Sequence, residues 1–339
     1  MISPVRVPGA RRPHSRWLPA LVALLVGILV AGCGGNSTSS TTAGAKNWTL
    51  RIGFVSTTVT PSGPEGWAYK QGSLLTALKK VGVAKVVWSP FKNGPDLTAA
   101  MTGGSLDLGL LGDTPAITAR AKGLKIRLVN QSVVGLDAWL VAKKNGPTSV
   151  KALAGTTVGT QVGSYMYRYL VARLQEEGIA DKVKVTHIYA AGAVAALQSG
   201  AISAYAAPAG QLTAVLTKQG FPTIEKSSVS HRDLLGTSLT VIPDKVLAAH
   251  PDLPQAWNAA RQSAVADLTK QADAYFAFAA KATGTPEAVV RAVSPVSVYP
   301  AEPFTPAGVA LLEGTKKFLV TQKLAKTDFS VDDWKVPAP

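Results

Sequence analysis

The stretch that most constrains the fold of this chain runs from Phe91 to Ala121, and it predicts the order helix, strand, turn, helix. A short helix is expected from Asp96 to Met101, because Pro95 fits the first position of a helix and Gly103-Gly104 ends one. A short strand follows, and its apolar residues are Leu106, Leu108, Leu110 and Leu111.

The turn after this strand is Gly112-Asp113-Thr114-Pro115, and helical spacing resumes at Ala116. Asp113 or Thr114 can cap the new helix, and Pro115 fits its first turn. A turn that leads from a strand into a helix exposes unpaired backbone N–H groups, and the helix dipole there favours anions. In open α/β sheets such turns are where ligands bind. We therefore expect Gly112, Asp113 and Thr114 to lie at a binding site.

This stretch contains a set of residues, many of them glycine, alanine or proline, that form a pattern typical of a known family. They are Phe91, Gly94-Pro95, Ala99-Ala100, Gly104, Leu106-Asp107, Gly109 and residues 112–117. The pattern resembles the extracytoplasmic binding proteins of ABC importers for aliphatic sulfonates, taurine, nitrate and thiamine precursors. The similarity extends from about Leu50 to about Gly220, with a weaker helical tail beyond. It implies a two-lobed α/β fold of the periplasmic-binding-protein type II class, with two mostly parallel sheets flanked by helices and joined by two hinge crossings.

The first 32 residues have the layout of a secretory signal peptide, with Arg11, Arg12 and Arg16 ahead of the apolar run 18–30. The sequence Leu29-Val30-Ala31-Gly32-Cys33 resembles a bacterial lipoprotein box, which implies cleavage before Cys33 and a lipid on its sulfur. The alternative is a transmembrane anchor, but the run is short for a span of about 20 residues. Residues 33–47 are predicted to be a Gly/Ser/Thr tether that holds the rest of the chain near the membrane.

The resemblance also divides the remaining chain. Residues 48–142 are predicted to form the first part of lobe 1, residues 143–230 lobe 2, and residues 231–339 the return to lobe 1 with its C-terminal helices. The segment that begins at Ser149 is similar to the one that opens the second domain in the family. The return crossing is expected between Ser227 and Gly236.

Candidate ligand-binding residues in the first lobe follow its first strand. Ser56, Thr57 and Thr58 lie just past the carboxyl end of that strand, where their hydroxyls can donate to ligand oxygens. Hydroxyl-rich loops are also common for reasons of turn formation alone. Trp67, in the helix that follows, either walls a ligand cleft or belongs to the core, and core is the more frequent place for such an aromatic.

The candidates in the second lobe are Gly163, Ser164 and Tyr165, which open a helix after a strand. By resemblance, this turn is the second half of the binding site; a plain serine N-cap is the alternative and is compatible with binding. Pro208 matches a family position after the last strand of this lobe. Ala207 and Ala209 stand where the family often has bulk or charge, which implies a roomier cleft for a ligand bulkier than taurine or nitrate.

Charge and composition limit the possible partners. The formal charge is +15, and removal of the four leader arginines leaves +11. This balance favours anionic ligands or surfaces. The basic residues are scattered, without the dense basic helix or basic–aromatic run of nucleic-acid modules, so we expect no nucleic-acid partner. With a single cysteine and four separated histidines, the sequence has no multi-cysteine or His-x-x-x-His metal motif.

No motif for chemistry stands out. The sequence contains neither the nucleophile elbow G-x-S-x-G nor the phosphate-binding loop G-x-x-x-x-G-K-[ST]. We therefore expect a monomeric binding protein without catalytic residues, metal or cofactor. Its expected ligand is a small organic anion, and a sulfonate is the first candidate. The resemblance implies ABC permease and ATPase subunits as partners and the extracytoplasmic face of the cell membrane as location.

Two other hypotheses remain open at this level. The first is a neutral or cationic heteroaromatic nutrient such as a thiamine precursor, which Asp113, Trp67 and Tyr165 would contact. The second is an enzyme or sensory lipoprotein on the same fold. For the anion hypothesis, the Asp113 carboxylate would repel the ligand, so we expect it to turn back onto backbone N–H groups.

Overall fold

The computed structural model of this chain describes residues 47–337; the predicted signal peptide, the proposed lipid-bearing Cys33 and the tether up to residue 46 lie outside the described residues. The strands are β1 (Trp48–Val55), β2 (Val83–Phe91), β3 (Leu108–Gly112), β4 (Ile126–Leu136), β5 (Ala138–Ala142), β6 (Thr157–Thr160), β7 (Lys184–His187), β8 (Ala204–Pro208), β9 (Thr223–Lys226) and β10 (Gly236–Pro243).

The helices alternate with these strands through the first two thirds of the chain and then follow one another to its end. They are α1 (Gly63–Lys70), α2 (Ser73–Lys79), α3 (Gly94–Thr102), α4 (Asp113–Ala121), α5 (Tyr165–Glu176), α6 (Ala190–Gln198), α7 (Gln211–Lys218), α8 (Ser227–Ser230), α9 (Asp244–Ala249), α10 (Leu253–Lys270), α11 (Ala272–Thr283), α12 (Glu287–Val293), α13 (Pro306–Thr321) and α14 (Val331–Trp334).

The strands form two five-stranded sheets, in the orders β2-β1-β3-β10-β4 and β7-β6-β8-β5-β9. Each sheet is parallel except for one strand: β10 runs antiparallel to β3 and β4, and β5 runs antiparallel to β8 and β9. The prediction of an α/β fold with two mostly parallel sheets is therefore confirmed. Parallel strands bring the turns that follow them to one edge of each sheet.

Helices cover both faces of both sheets. In the first sheet, one face packs Leu111 and Leu128 against α4 and α13, and the other packs Leu50 and Ile52 against α2 and α10. In the second sheet, α5 covers one face, and α6 and α7 cover the other. Strands buried on both faces account for the near-continuous apolar runs of the sequence.

One predicted boundary is wrong. Residues 138–142 were assigned to lobe 1, but this strand, β5, pairs with β8 and β9 in the second sheet. The chain leaves the first sheet between Leu136 and Ala138, directly after β4, and it returns between Lys226 and Gly236. Asp137 joins the two crossings, because its carboxylate accepts hydrogen bonds from the hydroxyls of Ser227 and Ser228 at 2.8 and 2.7 Å.

Two helical segments are interrupted, and one local prediction needs correction. The first segment is interrupted at Gly72, whose φ of 76° lies in the left-handed region, so α1 and α2 are separate. The segment from Leu253 to Thr283 is broken at Gln271 into α10 and α11. Helix α4 begins at Asp113 itself, and its N-cap is Gly112, which has no side chain to cap with.

The described residues 47–337 belong to one compact unit. Both sheets and every core cluster of the described residues lie within it. A protein that starts at Ala43 therefore contains all the packing on which this fold depends, and it is the form for the experiments below.

Candidate functional site

A cavity of about 670 Å³ lies between the carboxyl ends of the two sheets. The first sheet contributes Phe54 and Leu110, the second contributes Pro208, and Gln161 follows β6 at the same level. The volume is typical of cavities that enclose a small organic ligand, about 300–1,000 Å³. Because turns at strand ends carry variable side chains on a rigid frame, this is where the fold places binding groups.

Six helices begin at the wall of this cavity. The first residues or the N-caps of α1, α3, α4, α5, α6 and α7 line it, and they are Gly63, Gly94, Gly112, Ser164, Ala190 and Gln211. Each helix has at least eight residues. A helix N-terminus carries unpaired N–H groups and a partial positive charge of about half an elementary charge. The cavity is therefore suited to an anion.

The ionised groups of the wall are few. Among the described residues that line the cavity, Glu65 and Lys92 are the charged ones. Glu65 is 3% exposed and pairs with the buried Arg261, whose Nε lies 2.9 Å from Glu65 Oε1. Since that pair compensates itself, the electrostatic preference of the cavity comes from Lys92 and the helix N-termini.

Asn93 is a polar group that the structure adds to this wall. It is 3% exposed, and its Oδ1 accepts a hydrogen bond from the N–H of Asp96 at 2.8 Å, which caps α3. Among the described residues, its Nδ2 has no hydrogen-bond acceptor, and the residue lines the cavity. An amide donor at a cavity wall without a protein partner can donate to a ligand or a water.

Six of the predicted site residues do line the cavity: Ser56, Thr57, Gly112, Ser164, Tyr165 and Pro208. They come from both lobes, so the structure brings together the two turns that the sequence singled out. The other five are placed elsewhere: Thr58, Trp67, Asp113, Thr114 and Gly163.

Trp67 belongs to the core. It is 1% exposed, stacks edge-on against Tyr275, and donates from Nε1 to Asp267 Oδ2 at 2.7 Å. The assignment to the ligand cleft is wrong, because the indole points between α1 and the C-terminal helices α10 and α11. The more frequent place for such an aromatic is the correct one here.

Asp113 and Thr114 lie beneath the cavity, not in its wall. Asp113 is fully buried, and its carboxylate accepts from the N–H and the hydroxyl of Thr114 and, at 2.8 Å, from the N–H of Thr237. The expected turning of this carboxylate onto backbone N–H groups is confirmed. A direct contact of Asp113 or Thr114 with the ligand is not what the structure shows.

Thr58 and Gly163 are also displaced from the wall. The Thr58 hydroxyl donates to the carbonyl of Ala282 at 2.7 Å, which ties the loop after β1 to α11. Gly163 has a φ of 83° and faces Pro95 outside the cavity. Both residues shape the neighbouring turns, and their contacts with other protein groups explain why they are not available to a ligand.

The two lobes touch each other around the cavity. Gln161 of lobe 2 donates to the carbonyl of Lys92 at 3.1 Å, and the Tyr189 hydroxyl donates to Asp96 at 3.2 Å. On another side, Gln211 accepts from Thr57 and donates to the carbonyl of Gly284. These contacts are those of a closed cleft.

Tyr165 is an aromatic residue of lobe 2 that also contacts lobe 1. Its ring lies against Gly236 of the returning crossing and near Gly112, and its hydroxyl donates to the carbonyl of Asp137 at 3.3 Å. Removal from water, followed by the negative charges of Asp137 and Asp113, raises the pKa of Tyr165 well above its ordinary value. The phenol is therefore neutral throughout the physiological range.

A substitution of Ser164 tests how much the turn before α5 contributes to stability. Its hydroxyl oxygen accepts from the N–H of Tyr167 at 3.2 Å, and the hydroxyl donates to the carbonyl of Gln161 at 2.6 Å. Ser164→Ala is expected to lower the free energy of unfolding by about 1 kcal/mol, because the N-cap is lost. Urea denaturation measures this, and Ser164→Thr is the control that keeps the oxygen. Equal stability of Ser164→Ala and the native chain would contradict the assignment.

Sequence reasoning missed a whole wall of the cavity. It is formed by residues of α11, of α12, of the loop between them and of the segment after α12. We call it the C-terminal wall: Tyr275, Ala279, Thr283, Thr285, Val290, Val293, Ser294 and Tyr299. Their spacing is that of ordinary amphipathic helices, so no local signal marked them. Asn93 was within reach, since a residue ahead of Gly94-Pro95 stands at an N-cap position.

Two further structural findings bear on function. No helix of the described residues is long and apolar enough to cross a membrane. Among residues 47–337, no three histidine, cysteine, aspartate or glutamate side chains form a group that could hold a metal ion.

Comparison with known sequences gives a consistent result. The family model described as NMT1/THI5 like matches residues 82–277. A protein of Escherichia coli (strain K12), named as an aliphatic sulfonates-binding protein, is 28% identical over 67% of this chain and 67% of its own length. A protein of the same description from Bacillus subtilis (strain 168) is 27% identical over 70% of this chain and 69% of its own length.

Solved structures share the fold. The alkanesulfonate-binding protein SsuA from Xanthomonas axonopodis pv. citri, bound to MOPS, is superimposed with a TM-score of 0.70 and 23% identity, over 86% of this chain and 99% of that one. The desulfurization enzyme DSZB also matches, with a TM-score of 0.64 and 17% identity, over 85% and 96% of the two chains. The chain therefore has the periplasmic-binding-protein fold, which carries both binding proteins and an enzyme.

Proposed function

Since the chain belongs to the NMT1/THI5-like family, we propose that it is the solute-binding component of an ABC importer and that it captures an organic sulfonate in the cavity between its lobes. The observation that carries the proposal is the convergence of six helix N-termini on a cavity whose wall has one uncompensated ionised side chain, Lys92. The similarity to sulfonate-binding proteins of two bacteria supports the same ligand class.

The charge of the wall favours a monoanion over a dianion. A sulfonate has one negative charge spread over three oxygens, and N–H groups at helix ends can satisfy such oxygens without a buried cation. A phosphate or sulfate ion carries more charge into the same space, and its desolvation is correspondingly more costly. Asn93 Nδ2 supplies a side-chain donor for a sulfonate oxygen, and Ser56 and Thr57 add hydroxyls to the same wall.

The hypothesis of a heteroaromatic ligand lacks two of its three proposed contacts. Of the three residues proposed for it, Asp113 and Trp67 lie outside the cavity wall, and Tyr165 alone lines it. Among the described residues that line the cavity, no free carboxylate is present to recognise a cationic ring. This arrangement favours the sulfonate.

A binding role, not a catalytic one, fits the wall best. The two relatives from Escherichia coli and Bacillus subtilis are named as binding proteins, although a desulfurization enzyme has the same fold. The ionised groups of the wall are Lys92 and the paired Glu65, which is not an acid–base pair poised for catalysis.

The membrane partners complete the proposal. Closure of the two lobes on the ligand would present a closed form to a permease and its ATPase. A lipid on Cys33 and the tether behind it would keep the monomer on the extracytoplasmic face of the membrane. Genes for a permease and an ATPase beside the gene for this chain would support transport, whereas a biosynthetic cluster or a sensor kinase there would not.

The ligand class is tested by calorimetric titration of the Ala43–Pro339 protein. The panel holds alkanesulfonates, taurine, nitrate, sulfate and a thiamine precursor. We expect binding of sulfonates and a matching rise in melting temperature, because a ligand that binds only the native state stabilises it. Binding of the thiamine precursor without binding of any sulfonate would overturn the proposal.

A further inference from the structure

The C-terminal wall differs from the rest of the cavity in chemistry. Its members Ala279, Val290 and Val293 are aliphatic, and the two tyrosines bond each other, since Tyr275 donates to the hydroxyl of Tyr299 at 2.8 Å. The Thr283 hydroxyl is also occupied, because it donates to the carbonyl of Ala279 at 2.8 Å. Thr285 and Ser294 add two hydroxyls. No lysine, arginine or histidine of the described chain belongs to this wall.

The Glu65–Arg261 ion pair near the C-terminal wall does not attract a further charged group. Arg261 donates to Glu65 at 2.9 Å, to the carbonyl of Ser132 at 2.7 Å, and to the carbonyl of Pro300. Both residues are at most 3% exposed. Because the charges of a buried pair cancel, this side of the cavity has no net charge with which to attract an anionic or cationic head.

Burial and the nearby Glu65 charge raise the pKa of Tyr275 and of Tyr299 above their ordinary values. Both phenols are therefore neutral, and their hydroxyls are hydrogen-bonded to each other. The ring faces of these tyrosines and the valine side chains of the C-terminal wall then present apolar surface to a ligand in the cavity.

The volume exceeds what a short sulfonate needs. At about 30 Å³ per water, 670 Å³ corresponds to about 20 waters, and a one- or two-carbon sulfonate displaces a few of them. The rest would stay against apolar side chains, which is unfavourable. Apolar residues also border the opening: Val55 and Val215 line the cavity and are 40% and 38% exposed.

From these observations we infer that the natural ligand is an amphipathic sulfonate with an apolar chain or ring system of about six carbons or more. The inference rests on the proposed function. The sulfonate group lies at the helix N-termini, and the apolar part lies against the C-terminal wall. Small sulfonates such as methanesulfonate and taurine bind through the sulfonate group alone, because they are too short to contact the C-terminal wall.

The test is a titration of the Ala43–Pro339 protein with methane-, butane- and octanesulfonate, below the micelle concentration of each. Each buried methylene can contribute a factor of roughly four in affinity, so burial of about three of the additional methylenes is enough for octanesulfonate to bind at least about 30-fold more tightly than methanesulfonate. Octyltrimethylammonium has the same chain and a cationic head, and it should bind more weakly than octanesulfonate by about 30-fold or more.

Val293→Trp places a bulky ring in the C-terminal wall. We expect it to remove most of the advantage of octanesulfonate and to leave methanesulfonate affinity within about threefold. Ala292→Trp is the matched control, because Ala292 is the exposed neighbour of Val293 and does not line the cavity. Val293→Asp is a second variant that opposes an apolar chain by charge, and circular dichroism checks that each variant is folded.

The outcomes separate this inference from the proposed function. Equal affinity for methane- and octanesulfonate, or equal behaviour of Val293→Trp and Ala292→Trp, would overturn the apolar contact and leave sulfonate binding intact. Absence of binding by every sulfonate, or binding of octyltrimethylammonium as tight as that of octanesulfonate, would overturn the proposed function and the inference with it.

Discussion

Gly112→Trp is expected to weaken sulfonate binding by at least about 100-fold, or about 2.8 kcal/mol, while the protein stays folded. Gly112 lines the cavity with a φ of −65°, a backbone conformation open to any residue. A Cβ atom there would lie 3.7 Å from Pro115 Cδ and 3.9 Å from Tyr165 Cδ1, which are ordinary contacts. The indole must then extend into the space between the helix N-termini.

The matched control for this change is Gly112→Ala. It adds the Cβ atom without filling the cavity, so affinity should stay within about threefold and stability within about 1 kcal/mol. Calorimetric titration with octanesulfonate and urea denaturation measure the two quantities. If Gly112→Trp binds octanesulfonate as the native protein does, the sulfonate site is not at the start of α4.

Asp113→Ala is expected to lower the free energy of unfolding by about 3–5 kcal/mol, the largest effect on stability that we predict. The carboxylate accepts from Thr114 of α4 and Thr237 of β10, and Thr315 of α13 lies 3.4 Å away. Its removal orphans two buried backbone N–H groups. It also removes a negative charge that stabilises the charged form of the buried Arg168 guanidinium.

Asp96→Ala is the control for this effect. Asp96 is the acidic residue in the first turn of the neighbouring helix α3, but it is partly exposed and its carboxylate accepts from the Tyr189 hydroxyl at 3.2 Å. Its loss should cost less than about 1 kcal/mol. Urea denaturation distinguishes the two variants. An Asp113→Ala protein of native stability that no longer binds ligand would show that Asp113 contacts the ligand after all.

The sequence carried enough information for the fold and for half of the site. Strand ends followed by Gly112 or by Gly163-Ser164 are local signals, because a helix start at the carboxyl end of a parallel strand must face the cleft. Ser164 and Tyr165 were assigned to the site by the resemblance to the family together with this signal, and the turning of Asp113 onto backbone N–H groups followed from electrostatics alone.

What the sequence did not reveal depends on long-range packing. Trp67 and Thr58 were misplaced because their partners, Asp267 and the Ala282 carbonyl, are about 200 residues away along the chain. The C-terminal wall shows the same limit. A helix such as α11 has one apolar face for the core and another for the cavity, and periodicity does not distinguish the two.

The strand from Ala138 to Ala142 was assigned to the wrong lobe for a related reason. It follows β4 with a single residue, Asp137, between them, so nothing in the local sequence marks the change of sheet. The change becomes visible only through its antiparallel partners β8 and β9.

A crystal structure of the Ala43–Pro339 protein with octanesulfonate tests the central claim most directly. We predict that the sulfonate oxygens lie within hydrogen-bond distance of N–H groups in the first turns of α3, α4 or α5, or of Asn93 Nδ2, and that the octyl chain contacts Val293 and Tyr299. A sulfonate beside the Glu65–Arg261 pair, or a ligand bound outside the cavity, would contradict the account.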